Sequence, residues 1–320
     1  MKICAIIVTY NRKQLLLQCL TGILSQTKKV NSIIIVDNAS TDDTWETIKN
    51  KFEFTRDISD NNLINVGEYE NVEFHYIKTS QNKGGAGGFS LGLKSAHSMQ
   101  KYDAFWMMDD DGYPSSNCLE EQMKGLEEFH YDYVMPTSID IDNHTQLSWP
   151  VRLKNDGKTL LYSKMKESWG EIMDYIYPFN GSLLSKKIVD EVGYVNEKLF
   201  IWGDEYEHYW RCKKKGYQPI TIVNAMFYHP ANKMSFVPII GGLIKVPFSE
   251  SELRMVCLAR NYTHIYWNYD NKLKIPAKFL IYSWLYLITR KFDFKGYKLY
   301  IASVIDGLKG DFTRHLKYLK

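Results

Sequence analysis

The chain has 320 residues, 45% of them hydrophobic and 24% charged, with a formal net charge of +3. That is enough for one large globular domain and an appendage. Its five cysteines are scattered and never form a Cys-x-x-Cys pair, which argues against a disulfide framework and a zinc site and fits a reducing cytosol.

Residues 3–8 read as a strand, with no basic segment and small-residue cleavage site before them. No signal peptide is therefore expected, and the protein is expected on the cytoplasmic side. Strand and helix patterns then alternate, with strands at 2–9, 32–37, 72–78 and 103–108 and helices at 13–25, 42–51, 85–99 and 115–129. This alternation predicts an α/β fold, a mostly parallel sheet with helices on both faces. Ligands of such sheets gather at the C-terminal strand ends.

Those ends carry the informative residues. Thr9-Tyr10-Asn11-Arg12 follows the first strand and Asp37-Asn38-Ala39-Ser40-Thr41-Asp42 the second, where Ser40 or Thr41 also reads as an ordinary helix cap. Asn82-Lys83-Gly84-Gly85-Ala86-Gly87-Gly88 follows the third. It lacks the dinucleotide spacing G-x-G-x-x-G, yet it lets backbone approach a phosphate or sugar at a helix N-terminus. The fourth strand, Phe105-Trp106-Met107-Met108, ends in Asp109, Asp110 and Asp111. Strand alternation puts Asp109 and Asp111 on one side and Asp110 on the other. Two carboxylates on one side repel unless a cation lies between them, usually a hard divalent ion carrying phosphates. Alone, the triplet reads more readily as a solvated acidic turn leading into the next helix.

Residues 131–185 show short strand-like pieces at 133–136, 175–177 and 182–184, consistent with a more mixed sheet. Leu199-Phe200-Ile201-Trp202-Gly203 then leads into Asp204, Glu205 and Glu207, with Arg211 beyond, at an expected helix start where the macrodipole favours acids. A strand at 220–223 and then His229 follow, and a lone histidine at a strand end also has a purely structural reading. Residues 235–247 contain two glycines and two prolines and read as a linker or as a loop over the site.

Residues 251–320 read mostly as helices, the first capped by Ser249 or Ser251. Residues 271–320 carry eleven Lys and Arg against three Asp, a local +8 that leaves −5 for the rest of the chain. The apolar stretch 279–288 is ten residues long, about half of the roughly 20 that span a bilayer. With lysines and aromatics at its edges it reads as an interfacial helix on anionic lipid, or as a helical pair packed on the catalytic domain or on a second subunit. No nucleic-acid recognition motif accompanies the charge. The expected division is residues 1–235 and 236–320.

Taken in order, Val8-Thr9-Tyr10-Asn11-Arg12, the stretch 36–42, the glycine loop 82–88, Asp109-Asp110-Asp111 and the stretch 202–211 resemble family 2 inverting glycosyltransferases of the GT-A fold. The resemblance covers about residues 1–235 and, more loosely, the tail. Within that family the glycine loop, the Trp-Met-Met-Asp-Asp-Asp strand end and Phe-Ile-Trp-Gly-Asp-Glu look most similar to galactofuranosyltransferases, with bacterial rhamnosyltransferases next. The resemblance implies a Rossmann-like mixed sheet, UDP-galactofuranose or else dTDP-rhamnose as donor, and a glycan hydroxyl as acceptor. The acceptor would be built on polyprenyl diphosphate at the cytoplasmic membrane face, or belong to a growing surface polysaccharide.

The resemblance also implies roles. Thr9, Arg12 and Asp37 would hold the nucleotide, with Asp37 accepting from the uracil imide; Asn82, Gly84 and Gly85 would lie against the donor, and Asp110 would contact the donor or serve the structure. Asp109 and Asp111 would bind Mn²⁺ or Mg²⁺ together with His229, which lies 24 residues beyond Glu205. Glu205, the second acid of the Asp204-Glu205 pair, takes the position of the catalytic base. The family usually has Asp there, so either the acceptor stands slightly further away or Asp204 is the base. Trp202 and the Phe179-Asn180-Gly181-Ser182 stretch would face the acceptor.

The chemistry asks for these parts. A departing nucleoside diphosphate gains negative charge that a metal ion neutralises, and the acceptor hydroxyl needs a positioned carboxylate to take its proton. Attack from the opposite face inverts the anomeric carbon. A sugar nucleotidyltransferase would instead place a basic glycine loop after the first strand, where this chain has Tyr10-Asn11-Arg12. A non-enzymatic glycan-binding protein gives no reason for two separated acidic clusters and a histidine.

Overall fold

The computed structural model describes residues 1–176, 180–231 and 235–319. The chain forms two compact units, residues 1–195 with 215–232, and residues 196–214 with 233–320. The acidic stretch 196–214, which the sequence reading left in the first domain, belongs to the second unit.

The first unit begins with β1 Ile3–Thr9, α1 Lys13–Leu24, β2 Ser32–Asp37, α2 Thr44–Lys51, β3 Ile64–Tyr69, β4 Val72–Lys78, α3 Gly84–Ser98 and β5 Ala104–Asp109. It continues with β6 Tyr113–Pro114, α4 Cys118–Glu127, β7 Tyr133–Asp140, β8 Gln146–Arg152, β9 Lys158–Leu161, α5 Tyr162–Trp169, β10 Ile172–Met173, β11 Ser182–Ser185 and α6 Lys186–Val192. After α7, Asp204–Lys214, which belongs to the second unit, β12 Ile220–His229 returns to the first.

The main sheet runs β10-β12-β7-β11-β5-β1-β2-β4-β3. β5, β1, β2 and β4 are mutually parallel, and β11 is antiparallel to both β5 and β7. β12 is parallel to β7 and therefore runs the same way as β5. His229, the last residue of β12, thus ends at the same edge of the sheet as Asp109.

β1 and β2 are buried at every position because both faces of the sheet are covered. Ile3, Ala5 and Ile7 join Ile33, Ile35, Trp106 and Met108 in one core with Leu16, Leu20 and Ile23 of α1. The opposite face meets α3, where Gly88 and Gly92 turn towards Val8 and Ile6. The glycine cluster therefore serves two ends. Gly85 faces open space, whereas Gly88 and Gly92 allow a close helix–strand approach.

Two expectations for the middle of the chain change. Instead of a strand at 175–177, β10 lies at Ile172–Met173, while Tyr177 and Phe179 lie outside the described residues. The supposed linker at 235–247 is a hairpin, β13 Phe236–Ile239 with β14 Ile244–Pro247, turned at Gly241 and Gly242 with φ of 64° and 91°. Its glycines mark a turn rather than a loose connection.

In the second unit the hairpin is followed by α8 Glu252–Asn268, α9 Lys274–Trp284 and α10 Phe294–Lys309. Ser251 caps α8, its Oγ accepting from the Arg254 N–H at 3.4 Å. Leu258, Tyr282, Leu285, Tyr286, Tyr300 and Val304 form the helical core, with Tyr282 stacked on Tyr300 at 4.7 Å. All five cysteines are buried free thiols, and burial raises each one above its ordinary pKa.

A Cβ at Gly88 would stand 2.5 Å from Val8 Cγ1, and one at Gly92 would overlap Ile6 Cγ2, both in stiff β-branched side chains. Gly88→Ala and Gly92→Ala are each expected to destabilise the protein by about 1–3 kcal/mol despite alanine's better helix propensity. Urea unfolding of both variants, against Gly85→Ala as the neutral control, checks this.

Candidate functional site

Three strand ends meet at the edge of the sheet. Thr9 lies in register with Asp37, and Val8 with Asp109. β5 stops at Asp109 and the chain turns at Asp110 and Asp111, so strand alternation does not extend through the triplet. This corrects the expectation that Asp110 points away from Asp111. One guanidinium nitrogen of Arg12, Nη1, lies 3.1 Å from Asp110 Oδ1 and 3.0 Å from Asp111 Oδ2. The Thr9 hydroxyl donates to Asp110 Oδ2 at 2.6 Å.

Asp110 is 3% exposed, and burial raises its pKa above the ordinary carboxylate value despite Thr9 and Arg12. Asp111 goes the other way. Burial pushes it up, but His229 in its protonated, donating form, and then Arg12, outweigh that and hold it below its usual value.

Gly112 brings Asp111 against β12, since any Cβ there would meet Phe227 Cε1 at 2.5 Å and the Tyr228 carbonyl at 2.6 Å. As a result His229 Nε2 lies 3.2 Å from Asp111 Oδ1, a buried oxygen that receives no hydrogen bond. The other ring nitrogen, Nδ1, is 2.7 Å from the Pro230 carbonyl, which can only accept, so the hydrogen is assigned to Nδ1. In the neutral ring Nε2 then presents a lone pair to a carboxylate oxygen, and the two repel unless a proton or a cation lies between them. Trp149 stacks on the His229 ring at 4.8 Å, and Ser148 Oγ donates to the His229 carbonyl at 3.0 Å, so the ring is held in place.

A divalent ion fits this pair by donor chemistry, imidazole nitrogen with carboxylate oxygen. Among the described residues, however, no three His, Cys, Asp or Glu side chains converge as a metal site. The expected set of Asp109, Asp111 and His229 is therefore present as the pair Asp111–His229. The turn that starts after Asp109 separates its course from that of Asp111.

The nucleotide candidates are brought together by loop hydrogen bonds. Asp37, 1% exposed, accepts from the Ser40 N–H at 2.7 Å on one oxygen and from the Tyr76 hydroxyl at 2.8 Å on the other. Here it shapes the loop after β2. Asn82 Oδ1 accepts from the Gly84 N–H at 2.8 Å, at the start of α3. Asn180 is buried, and its Oδ1 accepts from the Asp109 N–H at 3.3 Å.

Two asparagines of these strand ends to which the sequence alone assigns no role tie the loops together. Asn38 Nδ2 donates to the Gly84 carbonyl at 2.9 Å while its Oδ1 accepts from the Lys83 N–H at 2.8 Å. Asn11, with φ of 54°, donates its N–H to Ser40 Oγ at 2.9 Å and accepts from the Thr41 N–H at 2.7 Å. Their signal lay in the residue type, since asparagine tolerates positive φ and bridges backbones in turns.

In the second unit, α7 sorts its acids by burial. Asp204 and Glu207 are buried, whereas Glu205 is partly exposed. Glu207 pairs with Arg211 at 2.8 Å; burial nevertheless raises its pKa, outweighing that arginine. The turn before α7 holds positive φ at Phe200, Trp202 and Gly203. Asn261 Nδ2 donates to the carbonyls of Leu199, Ile201 and Trp202 at 2.9, 3.0 and 2.7 Å. The fully buried Arg260 adds a bond to the Leu199 carbonyl at 3.0 Å and another to His315 Nδ1 at 2.8 Å. Trp202, expected at the acceptor, is partly buried on the helical core, with the Arg254 guanidinium 5.8 Å from its ring.

Residues 4–193 match the sequence model described as Glycosyl transferase family 2. The Galactofuranosyltransferase GlfT1 of Mycolicibacterium smegmatis is 27% identical over 304 residues, covering 93% of this chain and 94% of its own. The protein of the same name from Mycobacterium tuberculosis H37Rv is 26% identical over 294 residues, covering 91% and 90%. The crystal structure of S. aureus TarS 1–349 in complex with UDP-GlcNAc matches at a TM-score of 0.57 and 14% identity, over 96% of this chain and 81% of that one. The mannosyltransferase PcManGT from Pyrobaculum calidifontis, in complex with GDP-Man and Mn²⁺, matches at 0.54 and 14%, over 94% and 73%. At such identities the structural matches speak for the fold, which is the expected GT-A arrangement.

Burial first, and Arg260 second, hold the His315 pKa down from 6.5 to about 4. A histidine that binds its proton more weakly folded than unfolded adds stability that is fully present above the higher value and is lost as pH falls towards the lower one. Stability is therefore expected to decline between about pH 6.5 and 4, with a shallower decline in His315→Asn, which keeps an acceptor for Arg260. Urea midpoints across that range measure both slopes.

Proposed function

The chain belongs to glycosyl transferase family 2 and is a glycosyltransferase; we propose that it moves galactofuranose from UDP-galactofuranose, with inversion, onto a glycan hydroxyl. The acceptor is lipid-linked or part of a growing surface polysaccharide. Similarity over nine-tenths of two proteins named galactofuranosyltransferases supports the donor.

The observation that carries the reading is the facing pair Asp111 Oδ1 and His229 Nε2, two lone-pair donors 3.2 Å apart with the other ring nitrogen fixed by Pro230. The residues that would hold a Mn²⁺ or Mg²⁺ are these two; Asp109, the third expected ligand, does not converge with them among the described residues. When bound, such an ion neutralises charge on the departing diphosphate. Arg12 adds fixed positive charge there, oriented by Asp110 and Asp111. Thr9, Asp37, Asn82, Gly84 and Gly85 shape the nucleotide loops, and Asp110 orients Arg12. Asn180 and Trp202 are assigned to the acceptor.

Glu205 is the general base, taking the acceptor's proton as the new bond forms. Its partial exposure favours it over the buried Asp204, and the buried Glu207 is engaged by Arg211.

The membrane is a second partner of this reading, at the cytoplasmic face. Leu273, Leu280, Trp284 and Ile288 along α9 and its continuation are exposed to 76, 71, 41 and 55%. Lys272 and Lys291, both exposed, flank them. An apolar stripe bordered by lysines suits the surface of an anionic bilayer. Among the described residues no helix is long and apolar enough to cross a membrane.

UDP with Mn²⁺ is expected to raise the melting temperature by roughly 5 °C at a hundredfold excess over its Kd, an effect lost in Asp111→Ala and His229→Ala. A response to dTDP instead would move the donor to a deoxyhexose, and the absence of any metal-dependent nucleotide response would sink the reading. Glu205→Gln should lower kcat about 10²–10⁴-fold with nucleotide stabilisation intact. If Asp204→Asn alone has that effect, the base is misassigned. In sedimentation with anionic vesicles, Leu280→Asp with Trp284→Asp is expected to release the bound protein to the supernatant; unchanged sedimentation would exclude this face.

A further inference from the structure

The helical unit holds a half-open apolar cavity of about 180 Å³, somewhat larger than the ~150 Å³ voids that accept a benzene ring. α8 lines it with Leu258, Tyr262 and Tyr266, at helical spacings of four residues, and α10 adds Tyr300 and Val304. From α9 comes a single cation, Lys278, half-buried at the lining.

Lys278 differs from the neighbouring Lys274, which pairs with Asp270 at 2.5 Å and lies over the Tyr266 ring at 5.4 Å. Among the described residues no carboxylate lies within ion-pair distance of Lys278. Burial, and then Lys274, lower its pKa below the ordinary lysine value. A half-buried ammonium without a counter-ion beside an unfilled apolar space costs stability unless an anion comes to it.

We propose that this cavity binds the end of one hydrocarbon chain of an anionic amphiphile, with the chain among Leu258, Tyr262, Tyr300 and Val304 and the phosphate at Lys278. The apolar lining alone would suit any small hydrophobe. The cation sets the class, because it rewards a molecule that carries a negative headgroup at one end of its chain. Two sources share this chemistry, a polyprenyl phosphate and a straight-chain bilayer lipid. The inference depends on the transferase reading only where it names the acceptor's lipid as the first source.

The test uses the full purified chain without metal or nucleotide. Titration calorimetry compares farnesyl phosphate, dodecyl phosphate, farnesol and inorganic phosphate, all below micelle-forming concentrations. Farnesyl or dodecyl phosphate is expected to bind saturably, one per chain, and inorganic phosphate not at all. Lys278→Gln should weaken either phosphate about tenfold and leave farnesol unchanged. Val304→Phe and Ala259→Met, made separately so that one misfolded variant does not decide the matter, should abolish chain binding. Tighter binding of farnesyl phosphate assigns the isoprenoid source, and tighter binding of dodecyl phosphate the bilayer source. Chain phosphates that bind no better than inorganic phosphate, or that bind the folded filled variants as well as the parent, overturn the proposal. Because no nucleotide is present, loss of this site and loss of the transferase reading are separate results.

Discussion

The edge of the sheet depends on one guanidinium shared by two carboxylates. Asp110 is buried and Asp111 follows it directly, so without Arg12, itself half exposed, the turn would hold two adjacent like charges, one of them shut off from water. Arg12 comes from the loop after β1, and Thr9, the last residue of β1, contributes the hydroxyl that completes Asp110. The parallel pairing of β1 with β5 is therefore fixed twice, by its backbone ladder and by this cluster. Asp111, freed of Asp110's demand, can turn one oxygen to Arg12 and the other to His229.

Much of this was legible in the chain. The parallel strands are legible to within a residue because β1, β2 and β5 are buried on both faces and read as nearly continuous apolar runs ended by polar residues, while β4 interrupts its run with Glu73 and His75. Less visible was where a strand stops. Alternation reaches Asp111 only if β5 does, but the chain turns at Asp110, and a turn changes which side chains face each other. β3 was missed because an edge strand with a register shift at Gly67 has neither a clean alternation nor a solid apolar run. The stretch 235–247 suits a linker or a loop over the site because its glycines are local signals, whereas the strand pairing that makes it a hairpin is not.

The acids of α7 show a different limit. Asp204, Glu205 and Glu207 lie within one helical turn and are chemically alike, so nothing local ranks them. Their burial is decided some sixty residues further on, where Asn261 gathers three carbonyls of the preceding turn and Arg260 supports a fourth bond. That clamp permits the three positive φ values leading into the helix and so sets which acid faces outward. Arg260 and Asn261 are legible in the sequence only as polar residues inside an apolar helix, a sign of duty without its object.

The burial of all five thiols makes the wild-type chain a convenient chassis for spectroscopy. Thiol reagents act on exposed thiolate, and here every native sulfur is shielded and its proton held tightly. A cysteine added to the outer face of α9 would be the sole reactive handle on a native background. A spin label or environment-sensitive dye placed there would report immersion depth or distance without the usual prior removal of endogenous cysteines.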